Sequence, residues 1–220
     1  MLSAENYTTF KLQTMKNFKS TFRPVVVLIA FTFTNISFSS DYFWVNGSGD
    51  WNDPSHWSLN SGGASAGNIP GTGDDVIFDN NSFSGSFSEV TLSQSVSVRD
   101  ISFNSQNQFN LSGSGYDLTV SGEFSATSKF STNLKTLIFN SPSGVKTINT
   151  FNSDIGADIK FVAGDWNLNG HLQTTAYKSM SFLGGQFHSN GFSVAAEYIY
   201  ANSATVHLDF TNSFVIAINS

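Results

Sequence analysis

The chain of 220 residues contains no cysteine. An exported protein of this composition has no disulfide to stabilise it, so its stability must come from an apolar core. Charged residues are also scarce, at 12% of the chain against roughly 25% in ordinary soluble domains. The 22 phenylalanines supply apolar area for a core, and a chain of this length is able to bury a sizeable one.

Basic residues are the scarcest charged residues after residue 40. Arg99 and five lysines stand there against fifteen carboxylates, a net charge of −9. Nucleic-acid affinity comes largely from clustered lysine and arginine. The composition therefore argues against DNA, RNA and anionic membrane surfaces as partners.

The sequence lacks an apolar run long enough to cross a membrane. Its strongest run, 25–33, is far shorter than the ~20 residues that a spanning helix needs. A basic stretch after Met15 precedes this run, and Ser37 and Ser39 follow it at the spacing of a signal-peptidase site. Such a combination is typical of a secretory signal peptide. We therefore assign residues 1–39 to a cleaved leader, expect translation to start at Met15, and expect a secreted or cell-surface protein whose mature chain does not insert into membranes.

The sequence does contain a short recurring motif, here also called the phrase: an aliphatic residue or methionine, one spacer and a phenylalanine. The phenylalanines are 25, 36, 22, 21 and 28 residues apart. A repeat of roughly 20–30 residues built from short strands is typical of a stacked architecture, in which each copy buries its apolar face on the next. The six copies are Val76-Ile77-Phe78, Ile101-Ser102-Phe103, Leu137-Ile138-Phe139, Ile159-Lys160-Phe161, Met180-Ser181-Phe182 and Leu208-Asp209-Phe210.

Apolar and polar residues alternate between these copies, and Gly, Asn and Ser clusters interrupt them, which is the strand pattern. Each copy reads as three short strands separated by a tight turn and a Gly or Asn corner. We predict an all-β fold, a right-handed parallel β-helix (β-solenoid) whose rungs occupy residues 76–220, with the six phenylalanines in one inward ladder. An antiparallel β-sandwich is the alternative, because regular short strands also fit it.

Three segments depart from this pattern. The interval of 36 residues between Phe103 and Phe139 predicts an extra hairpin around Leu118–Phe130 or a degenerate rung. The segment Thr174–Met180 is the one helix candidate. The apolar strand 214–218 has no polar cap after it, so we expect the protein to continue into a C-terminal region beyond this sequence.

The most distinctive passage begins at residue 44, where three of the four tryptophans fall within fourteen residues. It reads W-V-N-G-S-G-D-W-N-D-P-S-H-W-S from Trp44 and P-G-T-G-D-D-V-I-F-D from Pro70. This layout resembles the start of the large exported adhesin-like β-helix proteins of Bacteroidota, and autotransporter-type repeat proteins carry a similar passage. The resemblance covers Trp44 to Asp79. It implies a surface-displayed or secreted β-helix in which this segment caps the first rung.

Residues 40–75 are accordingly predicted to form an N-terminal aromatic cap. Asp53 and Pro54 suit the N-cap and first position of a short helical turn. The alternative is a ligand site, because tryptophan faces stack on sugar rings and carboxylates bind hydroxyls or calcium. Its partners would be glycans or cell-surface polymers, with calcium as the cofactor. The candidate residues are Trp51, Trp57, Asp50, Asp53, Asp74, Asp75 and Asp79.

Catalytic motifs are missing from the sequence. Parallel β-helices also host polysaccharide lyases and hydrolases, but Asp154, Asp158 and Asp165 are placed as turn residues. The four histidines show no zinc-ligand spacing, and neither a nucleophile elbow nor a phosphate-cradling loop occurs. The sequence therefore predicts an adhesin-like scaffold without catalytic activity or a cofactor. A carbohydrate-binding module, or a polysaccharide lyase or hydrolase, is the alternative.

Overall fold

The strands of the chain pair in parallel with strands that lie one coil earlier and one coil later. The computed structural model describes residues 39–151, 153–202 and 204–217. From Val76 onward, paired positions are 19 to 25 residues apart. The result is an all-β solenoid of about seven turns, which confirms the predicted parallel β-helix over the antiparallel sandwich.

The described residues contain short strands, one 3-10 turn at Pro54–His56 and no α-helix. No helix in this part of the chain is long and apolar enough to cross a membrane. The predicted leader lies outside the described residues, except for Ser39. The strands are β1 (Asp41–Trp44), β2 (Gly49–Asp50), β3 (Trp57–Ser58), β4 (Asp75–Phe78), β5 (Phe87–Thr91), β6 (Val96–Val98), β7 (Ile101–Phe103), β8 (Gln108–Val120), β9 (Phe124–Ala126), β10 (Phe130–Asn149), β11 (Asp154–Ile155), β12 (Asp158–Leu168), β13 (Leu172–Thr174), β14 (Ser179–Phe182), β15 (Gln186–His188), β16 (Val194–Ala196), β17 (Tyr198–Ala201), β18 (His207–Asp209) and β19 (Val215–Ala217).

The coils present three faces, here named A, B and C. Face A contains β1, β4, β7, β9, the C-terminal parts of β10 and β12, β15 and β18. Face B contains β2, β5, the N-terminal parts of β8 and β10, β11, β13, β16 and β19. Face C contains β6, the C-terminal part of β8, the middle of β10, the N-terminal part of β12, β14 and β17.

The long strands β8 and β12 each continue round one corner between two faces, and β10 continues round two corners. In β12 the corner lies at Gly164, whose φ is +110°. A Cβ at this position would lie 2.7 Å from the Cβ of Ser141. Glycine is therefore required here both for its backbone conformation and for the close approach of the neighbouring coil.

The core consists of inward side chains stacked in register from coil to coil. On face C, Phe139, Phe161 and Phe182 are direct neighbours in successive coils. Their ring centroids are 5.1 Å and 4.9 Å apart, and the rings are nearly parallel. Each fully buried phenylalanine contributes about 1.5–3 kcal/mol through apolar burial, so this ladder is a major source of the stability of the middle coils.

The prediction of one ladder for all six phenylalanines is wrong. Phe78 and Phe103 stack on face A, with centroids 5.1 Å apart, whereas Phe139, the next copy, belongs to face C. The sixth copy returns to face A, where Leu208 is the register partner of Phe187. On all three faces every second residue points into the core, so each face requires apolar residues two positions apart. The repeated motif therefore occurs on more than one face.

This change of face accounts for the interval of 36 residues. The predicted hairpin at Leu118–Phe130 is wrong. The segment supplies the end of β8 on face C, β9 on face A and the start of β10 on face B. Ala126 of β9 is the register partner of Phe103, so an alanine stands where the repeat would have a phenylalanine. The coil is therefore a degenerate rung of ordinary length. The helix at Thr174–Met180 is also wrong, because a turn there joins β13 to β14.

Phe161→Ala is expected to lower the free energy of unfolding by about 3–5 kcal/mol, because the buried ring packs against Phe139, Phe182 and Phe187. Urea unfolding of the purified chain measures this change. The control is Phe87→Ala, since Phe87 is 58% exposed, and a change below about 0.5 kcal/mol is expected for it. An unchanged unfolding midpoint for Phe161→Ala would contradict the stacked core.

Candidate functional site

The tryptophans of the N-terminal passage are fully buried. Trp57 Nε1–H donates to the carbonyl oxygen of Trp51 at 2.6 Å, and the two ring centroids are 4.8 Å apart. Trp44 lies edge-on to Trp57 at 4.9 Å. Both Trp51 and Trp57 cover Phe78, the first phenylalanine of the face A ladder, at 6.0 and 6.1 Å. Neither ring presents a face to a sugar, and the cluster forms an aromatic cap.

The turn between Trp51 and Trp57 has the predicted helical start. Asp53 is the N-cap of the 3-10 turn, and Pro54 occupies its first position. The backbone N–H of Ser55 donates to Asp53 Oδ1 at 2.9 Å, which lowers the pKa of Asp53 below its usual value. The turn then leads into β3, which pairs with β1 in antiparallel orientation and closes the first coil.

The candidate carboxylates of this passage do not converge. Asp50, Asp74 and Asp79 each accept a hydrogen bond from a backbone N–H of their own turn, at 2.7, 2.8 and 2.8 Å. Asp75 forms an ion pair with Arg99. In the described parts of the chain, no three His, Cys, Asp or Glu side chains lie together as a metal site requires. These carboxylates are therefore engaged in separate turns and in one ion pair.

A column of titratable side chains lies on the outer side of face A. His188 Nε2 is 3.3 Å from Asp165 Oδ1, and His188 Nδ1 is 3.7 Å from Asp209 Oδ2. The hydroxyl of Thr211 donates to Asp209 Oδ1 at 2.6 Å, which lowers the pKa of Asp209. A general acid needs a carboxyl group whose pKa is raised. The shift of Asp209 is in the opposite direction, which disfavours Asp209 as that acid.

A cleft at the corner between faces A and B combines aromatic and amide side chains. It has a volume of about 330 Å³, at the lower end of the range for small-ligand sites. We name it the corner cleft. It is lined by Asn149, Phe151, Asn169, Gly170, His171 and Phe192.

The corner cleft is built by a triplet that repeats once per coil. The triplets Asn149–Phe151, Asn169–His171 and Asn190–Phe192 each read Asn, one spacer and an aromatic residue. Each follows a strand of face A, and the strands are in register at Ile148 opposite Leu168 and Asn167 opposite His188. The triplets therefore place three asparagines and three aromatic residues, here named the asparagine column and the aromatic column, in successive coils of this corner, where neighbouring parallel strands are about 4.8 Å apart.

Phe151 has a backbone conformation that is unusual for its residue type. Its φ is +44°, and its side chain is 54% exposed. A turn two coils later, Ser189–Phe192, also needs positive φ and uses Asn190 and Gly191, which adopt it readily. A bulky ring in this region is a strained choice of the kind that clusters at ligand sites.

His171 and Phe192 are fixed in place around the cleft. The backbone N–H of Ser193 donates to His171 Nδ1 at 2.9 Å, so the neutral imidazole carries its proton on Nε2. The imidazole also lies edge-to-face with Phe192, at a centroid distance of 5.7 Å. Sequence reasoning missed this site. The signal was the Asn-x-aromatic triplet, which recurs at intervals of 20 and 21 residues.

Two further depressions in the described structure lack aromatic side chains. One of about 400 Å³ lies beside the N-terminal cap and is lined by Asn46, Gly47, Asn81, Ser82 and Ser84. The other, of about 190 Å³, contains Arg99 and Lys146. Arg99 already pairs with Asp75, which neutralises much of its charge. The corner cleft is therefore the better candidate for a ligand site.

Comparisons with protein-family models, with curated proteins and with solved structures find no match for this chain. The resemblance of the N-terminal passage to adhesin-like β-helix proteins therefore stays a prediction.

Trp57→Ala is expected to cost about 3–5 kcal/mol of unfolding free energy, because it opens the aromatic cap and removes the hydrogen bond to Trp51. Thermal or urea unfolding checks this expectation. Leu59→Ala is the control, since Leu59 is two residues away and 52% exposed. A Trp57→Ala protein that unfolds like the wild type but no longer binds glycans would instead indicate a sugar site at the cap.

Proposed function

We propose that the chain is a secreted or surface-displayed, adhesin-like scaffold without catalytic activity. The observation that carries this proposal is the single core that runs through every described coil. Seven coils about 4.8 Å apart form a stack of roughly 35 Å. A stiff stack of this kind holds outer side chains at fixed positions, which is the property that a display scaffold needs.

The composition is compatible with a role outside the cell. The region after residue 40 carries a net charge of −9, and a charge far from zero favours solubility. The signal-like N-terminus predicts export through a membrane. A cysteine-free core is independent of the redox conditions on either side of that membrane. Scaffold function in a secreted setting is thus compatible with the composition and with the fold.

Polysaccharide cleavage is the second candidate function. The observation in its favour is the column of Asp165, His188 and Asp209, which is accessible on the outer side of face A. The lowered pKa of Asp209 disfavours it as a general acid. We therefore rank cleavage below the scaffold proposal.

Expression of the gene in a Gram-negative host is expected to give a chain that is cleaved after Ser39 and recovered outside the cytoplasm. The physical reason is that the apolar run 25–33, after its basic stretch, is read as a signal peptide. Cell fractionation and N-terminal sequencing measure this. Leu28→Arg interrupts the apolar run and is expected to leave an uncleaved cytoplasmic chain. A wild-type chain that stays uncleaved in the cytoplasm would contradict export.

The purified chain is expected to release no reducing ends and no unsaturated products from pectins or from neutral polysaccharides. Colorimetric reducing-sugar assays and ultraviolet absorbance detect these two classes of product. The enzyme alternative requires a product signal from the wild type that disappears in both Asp165→Asn and His188→Ala, while the two variants retain the unfolding midpoint of the wild type.

A further inference from the structure

We propose that the corner cleft binds a neutral sugar unit of a glycan. Three observations carry the proposal: the aromatic column, the hydrogen-bonding groups beside it, and the charge of the cleft. The inference goes beyond the scaffold proposal and does not depend on where the protein is displayed, because binding is measurable with the purified chain.

The aromatic column offers an apolar surface to one face of a sugar ring. Phe151 is 54% exposed and lines the cleft together with Phe192. Large apolar side chains that stay exposed at a concave site are typical of binding surfaces. The strained backbone of Phe151, with φ at +44°, adds to this argument. An asparagine or glycine would satisfy the turn at lower conformational cost, so the turn itself does not explain the aromatic residue.

The polar groups of the cleft match the hydroxyl groups of a sugar. Asn149 and Asn169 line the cleft, and each side-chain amide has both donors and an acceptor. The tautomer of His171 is set by the Ser193 N–H that Nδ1 accepts, so neutral His171 has a donor at Nε2. A sugar hydroxyl group both donates and accepts hydrogen bonds. The donors and acceptors of the two asparagines and His171 are therefore suited to bind it.

Gly170 lines the cleft and lies close to the neighbouring coil. A Cβ at this position would lie 3.0 Å from Thr150 Oγ1 and 3.3 Å from the backbone nitrogen of Phe151. The glycine therefore lets two coils approach closely under the cleft. The volume of about 330 Å³ is of the size that accommodates a small ligand or one end of a larger one.

The charge of the cleft selects against acidic sugars. None of its six lining residues is a lysine, arginine or carboxylate. An acidic sugar such as a uronate would find no lysine or arginine to pair with and would approach a chain whose net charge after residue 40 is −9. Because charge complementarity determines which partners are suppressed, a neutral hexose-based glycan is the class of ligand that fits.

Isothermal titration of the purified chain with a panel of oligosaccharides tests this site. The panel contains neutral gluco-, galacto- and manno-oligosaccharides and an oligogalacturonate as the acidic probe. We expect at least one neutral probe to bind more tightly than the acidic one. Phe151→Ala should weaken that binding by about tenfold or more, and Phe151→Trp, which keeps an aromatic face, should retain most of it.

Tyr177→Ala is the matched control. Tyr177 also has a positive φ, at +64°, and is 81% exposed, but it does not line the cleft. Thermal unfolding of each variant verifies that the fold is retained. The proposal is overturned if no neutral probe binds, if the acidic probe binds more tightly, or if Phe151→Ala and Tyr177→Ala have equal effects on affinity. A failure of export would leave these binding results unchanged.

Discussion

Burial by a neighbouring coil is the constraint on which the rest of the structure depends. Val194 and Val215 are register partners in successive coils of face B. Val194 is fully buried, whereas Val215, in the last described coil, is 45% exposed. The two residues are chemically identical and occupy equivalent strands. Their difference in exposure therefore comes from the coil that covers Val194 on its second side, and each added coil contributes apolar burial at roughly 25 cal/mol per Å².

The first coil meets the same constraint with aromatic side chains in place of a preceding coil. Trp44 and Trp57 are fully buried although they belong to this coil, because the chain folds back through the turn that Asp53 caps. Among the described strands, the antiparallel pairing of β3 with β1 is the one break in the parallel pattern. It occupies the strand edge that would otherwise be open to another chain. The tryptophans thus stabilise the fold, although their clustering in the sequence also suggested a ligand site.

The sequence was sufficient to predict the architecture but not the assignment of residues to faces. Alternation with period two distinguishes inward from outward side chains, and it correctly made Phe139, Phe161 and Phe182 a ladder. It does not distinguish three faces that all bury apolar residues, so Phe103 and Phe139 were placed in one ladder. The burial of Trp57 and the exposure of Phe151 depend on the path of the chain at a corner. That path is set by positive φ angles and by contacts between coils, which a composition count does not contain.

The corner after face A takes different residues in successive coils. The inward side chains of the strands pack against side chains of the preceding and following coils. The outward side chains of the strands lie beside side chains of the adjacent strands. At the corner after face A, the same coil spacing accommodates Thr150, Gly170 and Gly191 as the spacer of the triplet. At such a position an exposed ring such as Phe151 lies outside the core. A scaffold role and a binding role therefore make separate demands on the chain, because the ladders determine stability and the corner side chains determine what is bound.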